Sequence, residues 1–330
     1  MKSITERTTI GELRRMPEYQ EVADYLLLSD MEPQEVLEKK TIQDIGKGQT
    51  ETFIEGLEHL NNVIKRNSNI AFDIWSDIDK KKDPTKKRTK LLFLPGLPDN
   101  PYVVVCPGGA YMAVCSLIEG FPVANILNQL GYNVFILNYR VTTCPLIPKP
   151  QEDLAQALRF IHDHCKKFRV PPEDYAVCGF SSGGHLAASW GSDNLGYRTY
   201  NLPAPGALFL GYPALSAYMF SMEDKVGKTY IKTMIGEDIN NKEKLDFVSI
   251  EKHVNSFFPP TYIIHAKDDD TVTFHTSELF VKELIKRNIP YRFEGISKGG
   301  HGFSTGAGLE AEDWIKRAII FWEKQRAKKY

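Results

Sequence analysis

Gly179-Phe180-Ser181-Ser182-Gly183 sets a serine between two glycines, each two residues away. The run follows an apolar stretch that reads as a strand and precedes one that reads as a helix. A G-x-S-x-G in that context is a nucleophile elbow, a sharp turn that holds a hydroxyl at its tip. The chain passes so close to itself there that side chains at Gly179 and Gly183 would clash. Only Ser181 has glycine at that spacing on both sides, which selects it over Ser182. The Ser182 amide then opens the following helix, where negative charge is favoured. The chemistry expected is acyl transfer.

A tetrahedral acyl intermediate carries a negative oxygen and needs preorganised N–H donors. Pro107-Gly108-Gly109-Ala110-Tyr111 follows another apolar run and exposes backbone amides; Gly109 and Ala110, with Ser182, are expected to form the oxyanion hole. Neither phosphate-cradling pattern, G-x-G-x-x-G or G-x-x-x-x-G-K-[ST], is present. A serine also needs an imidazole to take its proton and a carboxylate to orient that imidazole. Glycines surround a histidine in Gly299-Gly300-His301-Gly302-Phe303, which suits a loop that drops into a site. Asp268, Asp269 and Asp270 follow the apolar run that ends at His265, and residue type alone does not rank them. His185, inside the helix after Ser181, reads as a packing or hydrogen-bonding residue, and His265 as a structural contact. His162 and His164 lie two apart on a helix and face different ways, so no metal is expected there.

Strands and helices alternate from residue 100 onward. Tyr102–Cys106, Val134–Leu137, Tyr175–Cys178, Ala207–Leu210, Thr261–Ile264 and Tyr291–Phe293 read as strands, most of them continuously apolar, as in a buried parallel sheet. Helices are expected at Val123–Leu130, Asp153–Cys165, His185–Trp190 and Glu310–Lys324. In such folds the chemistry lies beyond the carboxyl ends of the strands. Upstream, Tyr19, Val22, Ala23 and Leu26 recur at helical spacing, as do Phe53, Leu57, Leu60 and Ile64, until Asn67-Ser68-Asn69 breaks the pattern. Phe72, Ile74 and Ser76 alternate like a strand, and residues 80–88 read as a charged hairpin tip before Leu91–Leu94.

Composition narrows the class. With 330 residues, 42% hydrophobic and 25% charged, the chain can bury a large core, and its net charge of −1 favours neither nucleic acid nor an anionic membrane. Met1 to Arg7 lack the apolar core of a secretory signal, and no apolar run reaches the ~18 residues of a membrane span. Five cysteines show no zinc or redox spacing, which predicts a reduced, cytoplasmic protein.

The motifs together resemble the bacterial α/β-hydrolase esterases related to acetyl-xylan esterases, within the wider hormone-sensitive-lipase-like group. The likeness runs through Pro107-Gly108-Gly109-Ala110-Tyr111, Glu119-Gly120-Phe121-Pro122, Asn138-Tyr139-Arg140, Gly179-Phe180-Ser181-Ser182-Gly183-Gly184-His185 and Gly299-Gly300-His301-Gly302-Phe303. Pro107 and Ala110 stand where lipases often carry histidine and a third glycine, a pattern of the acetyl-esterase branch. The resemblance implies an α/β-hydrolase fold, a mainly parallel, doubly wound sheet with helices on both faces. It also implies that Asp269 is the acid and His301 the base of a triad with Ser181, with no metal or cofactor. A helical extension, residues 1–69, would precede a catalytic domain, residues 70–330, with a lid-like insertion at about 215–258. The substrates implied are short acyl esters, above all acetyl groups on sugars. An amidase, peptidase or aryl-formamidase-like hydrolase would use the same triad. A binding protein on the same scaffold would be expected to have lost one of its three members.

Overall fold

Runs rich in valine, isoleucine and aromatic residues pair into one eight-stranded sheet in the computed structural model, which describes residues 3–46, 48–67, 69–221, 223 and 225–328. Met1, Lys2 and Ser68, used above to read the chain start and the break before the sheet, lie outside the described residues. The strands are β1 (Ala71–Phe72), β2 (Lys90–Leu94), β3 (Tyr102–Cys106), β4 (Asn133–Asn138), β5 (Tyr175–Phe180), β6 (Ala207–Gly211), β7 (Thr261–Ala266) and β8 (Tyr291–Ile296). Their order is β8-β7-β6-β5-β3-β4-β2-β1, and only β2 runs against the others. After β3 the chain goes to one side for β4 and returns to the other for β5. The loops following β3 and β5 therefore part around a crevice at the switch point, where ligands of open parallel sheets bind.

Both faces of the sheet are covered, which is why its central strands are apolar at every position. Val103, Val105, Ala176 and Cys178 face one layer, and Tyr102, Val104, Tyr175 and Val177 face the other. The first layer holds α1 (Thr50–Arg66), α2 (Phe121–Gln129) and, at the chain's far end, α8 (Trp314–Arg326). The second holds α3 (Lys149–Asp163), α4 (Ser181–Ser189), α5 (Lys225–Ile235), α6 (Lys242–Val248) and α7 (His275–Lys286). The described residues before β1 share the core of the first layer: Ile10, Leu13, Tyr19, Phe53, Leu57 and Leu60 are buried with the side chains of α2 and β3. The Tyr19 hydroxyl donates to the Leu57 carbonyl at 3.0 Å.

Two local expectations need correction. Tyr19, Val22 and Leu26 are fully buried but not on an α-helix: Tyr19 ends a 3₁₀ turn (Pro17–Tyr19), and Val22 and Leu26 flank a second (Ala23–Tyr25). Amides bond three residues back there, from Tyr19 to Met16, Val22 to Tyr19 and Tyr25 to Val22. A three-residue turn still stacks positions i and i+3, so the burial pattern survives while the helix type changes. The charged stretch is likewise no open hairpin tip, and the strand before it stops at Phe72. Ser76 caps a helix over Asp77–Lys82, its Oγ accepting from the Asp79 amide, and Asp83 caps a 3₁₀ turn over Pro84–Arg88. The capping side chains satisfy first-turn amides and fold the connection locally.

The insertion between β6 and β7 contributes α5 and α6. Tyr230, Ile231, Met234, Leu245 and Val248 on these helices are buried in the second layer. Among the described residues no helix is long and apolar enough to cross a membrane.

Candidate active site

β5 delivers the chain to Ser181, which starts α4 in a left-handed conformation, φ +51°. For a side-chain-bearing residue this is strained backbone, held by its surroundings. A Cβ on Gly179 would lie 2.1 Å from the Gly183 carbonyl, and one on Gly183 would lie 2.1 Å from the Cys106 carbonyl. The turn can therefore form only with glycine at both places. The Ser181 carbonyl accepts from the Ala214 amide at 3.0 Å, which ties the turn to the end of β6.

His301 and Asp269 come to this turn from the ends of β8 and β7. His301 Nε2 lies 2.9 Å from Ser181 Oγ, and His301 Nδ1 lies 2.7 Å from Asp269 Oδ2. Because the carboxylate only accepts, the imidazole proton sits on Nδ1 and leaves Nε2 to receive the serine proton. Asp269 is buried, and burial pushes its carboxyl up. Hydrogen bonds from His265 and His301, electrostatic attraction to the His301 imidazole and the Val272 amide outweigh that, so its pKa falls well below the usual carboxylate range. Its Oδ1 accepts the amides of Thr271 and Val272 at 2.9 and 2.8 Å.

The three adjacent aspartates thus have three different surroundings. Asp268 Oδ1 accepts the Gly299 and Gly300 amides at 2.9 and 2.8 Å and so holds the loop that carries His301. Asp270 is exposed, with Thr271 Oγ1 at 3.1 Å. His265, read from sequence as a structural contact, lies 3.1 Å from Asp269 Oδ2 and 2.9 Å from the Val272 carbonyl through Nε2, and 2.8 Å from Ser277 Oγ through Nδ1. Two acceptors at Nε2 require a proton there, so His265 is a second donor to the Asp269 carboxylate. His164 Nδ1 faces the Phe160 carbonyl, and His162 is exposed beside Asp163.

The loop after β3 turns back sharply through Gly109 (φ +138°), Ala110 (φ +52°) and Tyr111 (φ +57°). The Gly109 carbonyl accepts the Met112 and Ala113 amides, and the Tyr111 amide donates to Ser182 Oγ at 3.2 Å. Among the described residues the amides of Gly109 and Ala110 make no hydrogen bond. The Ser182 amide belongs to the first turn of α4, where amides lack partners within the helix.

Behind this loop, the Tyr111 hydroxyl donates to His185 Nδ1 at 2.7 Å, and His185 Nε2 donates to the Val248 carbonyl of α6 at 2.8 Å. Burial lowers the His185 pKa to about 4, against a smaller upward pull from the Val248 bond. The unfolded chain takes up this proton near pH 6.5, before the folded protein does. Stability is therefore expected to fall as pH drops from about 6.5 to about 4, by roughly 1.4 kcal/mol per pH unit and on the order of 3 kcal/mol in all. Thermal melts of wild type and His185→Gln across that range test this. The variant, though less stable at pH 7, should lose less on acidification; an equal slope refutes it.

In the sequence Glu119 stands out only as part of a motif, with no role given to it, and Tyr212 not at all. Glu119 Oε2 accepts the Gly108 amide at 2.6 Å and Oε1 accepts the Tyr212 hydroxyl at 2.7 Å. The available signal was a carboxylate inside the apolar run Leu117-Ile118-Glu119-Gly120-Phe121.

Two family models match the chain in succession, one described as BD-FAE over residues 94–198 and one of the prolyl oligopeptidase family over residues 206–329. Endo-1,4-beta-xylanase B of Butyrivibrio fibrisolvens is 29% identical over 62% of this chain and 32% of its own length. An acetylxylan esterase of Xylanibacter ruminicola is 26% identical over 72% of this chain and 48% of its own. The chain thus spans between about a third and a half of these two curated relatives. Among solved structures, an acetyl ester-xyloside bifunctional hydrolase from Caldicellulosiruptor lactoaceticus superposes with a TM-score of 0.66 at 28% identity, covering 77% of this chain and 95% of that one. An alpha/beta hydrolase enzyme from a deep-sea metagenome library gives 0.59 at 25%, covering 78% and 97%. The chain has the α/β-hydrolase fold; in sequence it resembles an acetylxylan esterase and a probable carboxylic ester hydrolase, and in structure an acetyl ester-xyloside bifunctional hydrolase.

Proposed function

We propose that the protein is a serine carboxylesterase that removes short acyl groups, acetyl above all, from carbohydrate or other small alcohols. The observation that carries this reading is the unbroken relay from Ser181 Oγ through His301 to Asp269, at 2.9 and 2.7 Å. His301 takes the serine proton as Ser181 attacks the ester carbonyl. The amides of Gly109, Ala110 and Ser182 hold the oxyanion, and His301 protonates the leaving alcohol. Water then attacks the acyl-enzyme by the same route, and Ser181 regains its proton.

Packing around the serine supports a short acyl group. Tyr111, Leu215 and Tyr230 are buried on the insertion side, with the rings of Tyr111 and Tyr230 stacked 6.1 Å apart, and Ala214 is hydrogen-bonded to the elbow itself. In this reading residues 215–258 act as the wall of the acyl side. An open cleft of about 490 Å³ is lined by His301 together with Gly300, Gly302, Asp270 and, from the N-terminal extension, Gly48 and Gln49. Gln49 Nε2 donates to the Ala307 carbonyl at 3.0 Å, which fixes the extension at the cleft edge. His301 lines this cleft, so in this reading the alcohol half of the ester lies there and residues 1–69 act as its cap.

Nitrophenyl esters from acetyl to octanoyl, run beside acetylated xylo-oligosaccharides, test the reading. The expected profile is highest kcat/KM for acetyl, falling by at least about tenfold by hexanoyl, since a filled pocket meets extra methylenes with overpacking costs of about 1–3 kcal/mol. A rising profile, or no hydrolysis with no labelling by a fluorophosphonate, rejects it. The match of residues 206–329 to the prolyl oligopeptidase family favours one second reading, cleavage of an amide by the same relay. Aminoacyl anilides distinguish the two.

A further inference from the structure

We infer that Glu119 is a positioning residue that, through Tyr212, holds the oxyanion loop and the base loop in mutual register. This rests on the proposed ester hydrolysis and on Gly109 and Ala110 as its oxyanion donors.

The peptide between Pro107 and Gly108 immediately precedes those two amides. It is gripped at both ends: its carbonyl accepts the Tyr139 hydroxyl at 2.5 Å, and its N–H donates to Glu119 Oε2 at 2.6 Å. The next carbonyl, of Gly108, accepts the Cys115 amide at 3.0 Å. Rotation of the plane ahead of the donors is thereby blocked, and charge-assisted bonds to a carboxylate are the stronger kind of restraint.

The other carboxylate oxygen reaches the opposite wall. Glu119 Oε1 accepts the Tyr212 hydroxyl at 2.7 Å, and that oxygen accepts the Ser304 amide at 3.1 Å, three residues beyond His301. The Tyr212 ring packs edge-on against His301 at 5.0 Å and Phe303 at 4.6 Å. Tyr212 follows β6 directly and sits at φ +36°, a strained conformation for tyrosine. Ser304 Oγ returns a bond to the Ile118 carbonyl at 2.5 Å, beside Glu119, which closes the circuit. Glu119 is 5% exposed and Tyr212 fully buried. A carboxylate is costly to bury unless donors meet it, and here the Gly108 amide and the Tyr212 hydroxyl come from elements that must be aligned for turnover. Burial and the charges of Glu119 and Asp269 push the Tyr212 hydroxyl far up, so it stays a donor throughout the working pH range.

Such a residue acts on the transition state, because the oxyanion exists only there. Glu119→Ala is expected to lose about a hundredfold in kcat with KM within threefold, as for a misaligned oxyanion donor. Glu119→Gln keeps one acceptor for Gly108 and can donate to the Tyr212 oxygen, and should recover to within about tenfold of wild type. Tyr212→Phe keeps the ring against His301 and should lose at least about fivefold in kcat. This third variant decides the matter if Glu119→Ala does not fold. Steady-state kinetics on nitrophenyl acetate, with melting temperatures, read all three. The inference fails if Tyr212→Phe loses less than fivefold, if its loss lies in KM, or if the glutamine variant is as slow as alanine. These failures leave the ester reading intact so long as wild type hydrolyses the ester and Ser181→Ala does not. A wild type inert to both ester and fluorophosphonate overturns both.

Discussion

Replacing Ser181 with alanine is expected to lower kcat by about 10⁵- to 10⁶-fold, the loss seen when the nucleophile of such a relay is removed. Among the described residues nothing else lies within hydrogen-bonding distance of His301 Nε2 to replace it, since the one side-chain partner of that nitrogen is Ser181 Oγ at 2.9 Å. Fluorophosphonate labelling should vanish with turnover, while the melting temperature stays within a few degrees of wild type. The left-handed backbone adds a second arm. At φ +51° alanine is as strained as serine, whereas glycine adopts that conformation freely. Ser181→Gly should therefore be equally inactive yet more stable, by about 1 kcal/mol. Retained esterase activity in either variant would show that Ser181 is not the nucleophile. A glycine variant no more stable than the alanine one would show that the elbow stores no strain.

The second large effect is expected at Asp269. Its Oδ2 receives His301 and His265 while Oδ1 receives two amides, so donors surround the carboxylate. Asparagine cannot satisfy that arrangement: its NH₂ must oppose either the histidines or the amides of Thr271 and Val272. Asp269→Asn is expected to lower kcat by about 10⁴-fold, because the imidazole loses its tautomer and orientation. Stability should fall as well, by about 1–3 kcal/mol for buried donors left unpaired. The pH dependence has a definite sign. A folded pKa held below the unfolded value near 3.9 stabilises the protein above about pH 4, and this contribution is lost as pH falls through the folded pKa. The gap between wild type and Asp269→Asn should thus be constant above pH 5 and narrow below pH 4. A variant with kcat within tenfold of wild type would remove Asp269 from the relay, and Asp268→Asn and Asp270→Asn would be measured next.

What the chain's own residues determined is largely what short-range sterics and periodicity can encode. Glycine is obligatory where a Cβ would strike backbone at 2.1 Å, so the turn around Ser181 is legible from five residues. Continuous apolar runs report strands covered on both faces, and the histidine flanked by glycines reports a loop free to bend. Patterns involving capping and turn type were less legible. A 3₁₀ turn and an α-helix both bury positions three apart, so Tyr19, Val22 and Leu26 do not distinguish them.

Tertiary structure alone decided which chemically equivalent groups meet. Asp268, Asp269 and Asp270 differ only in where the chain after β7 turns, which sends one carboxylate to the Gly299 and Gly300 amides, one to His301 and one to solvent. The partners of Glu119 lie 11 and 93 residues away, and only the sheet order brings them to one wall. Periodicity has a reach of a few residues. Hydrogen-bond partners across a switch point depend on how strands distant in the chain are ordered, and that is a property of the folded whole.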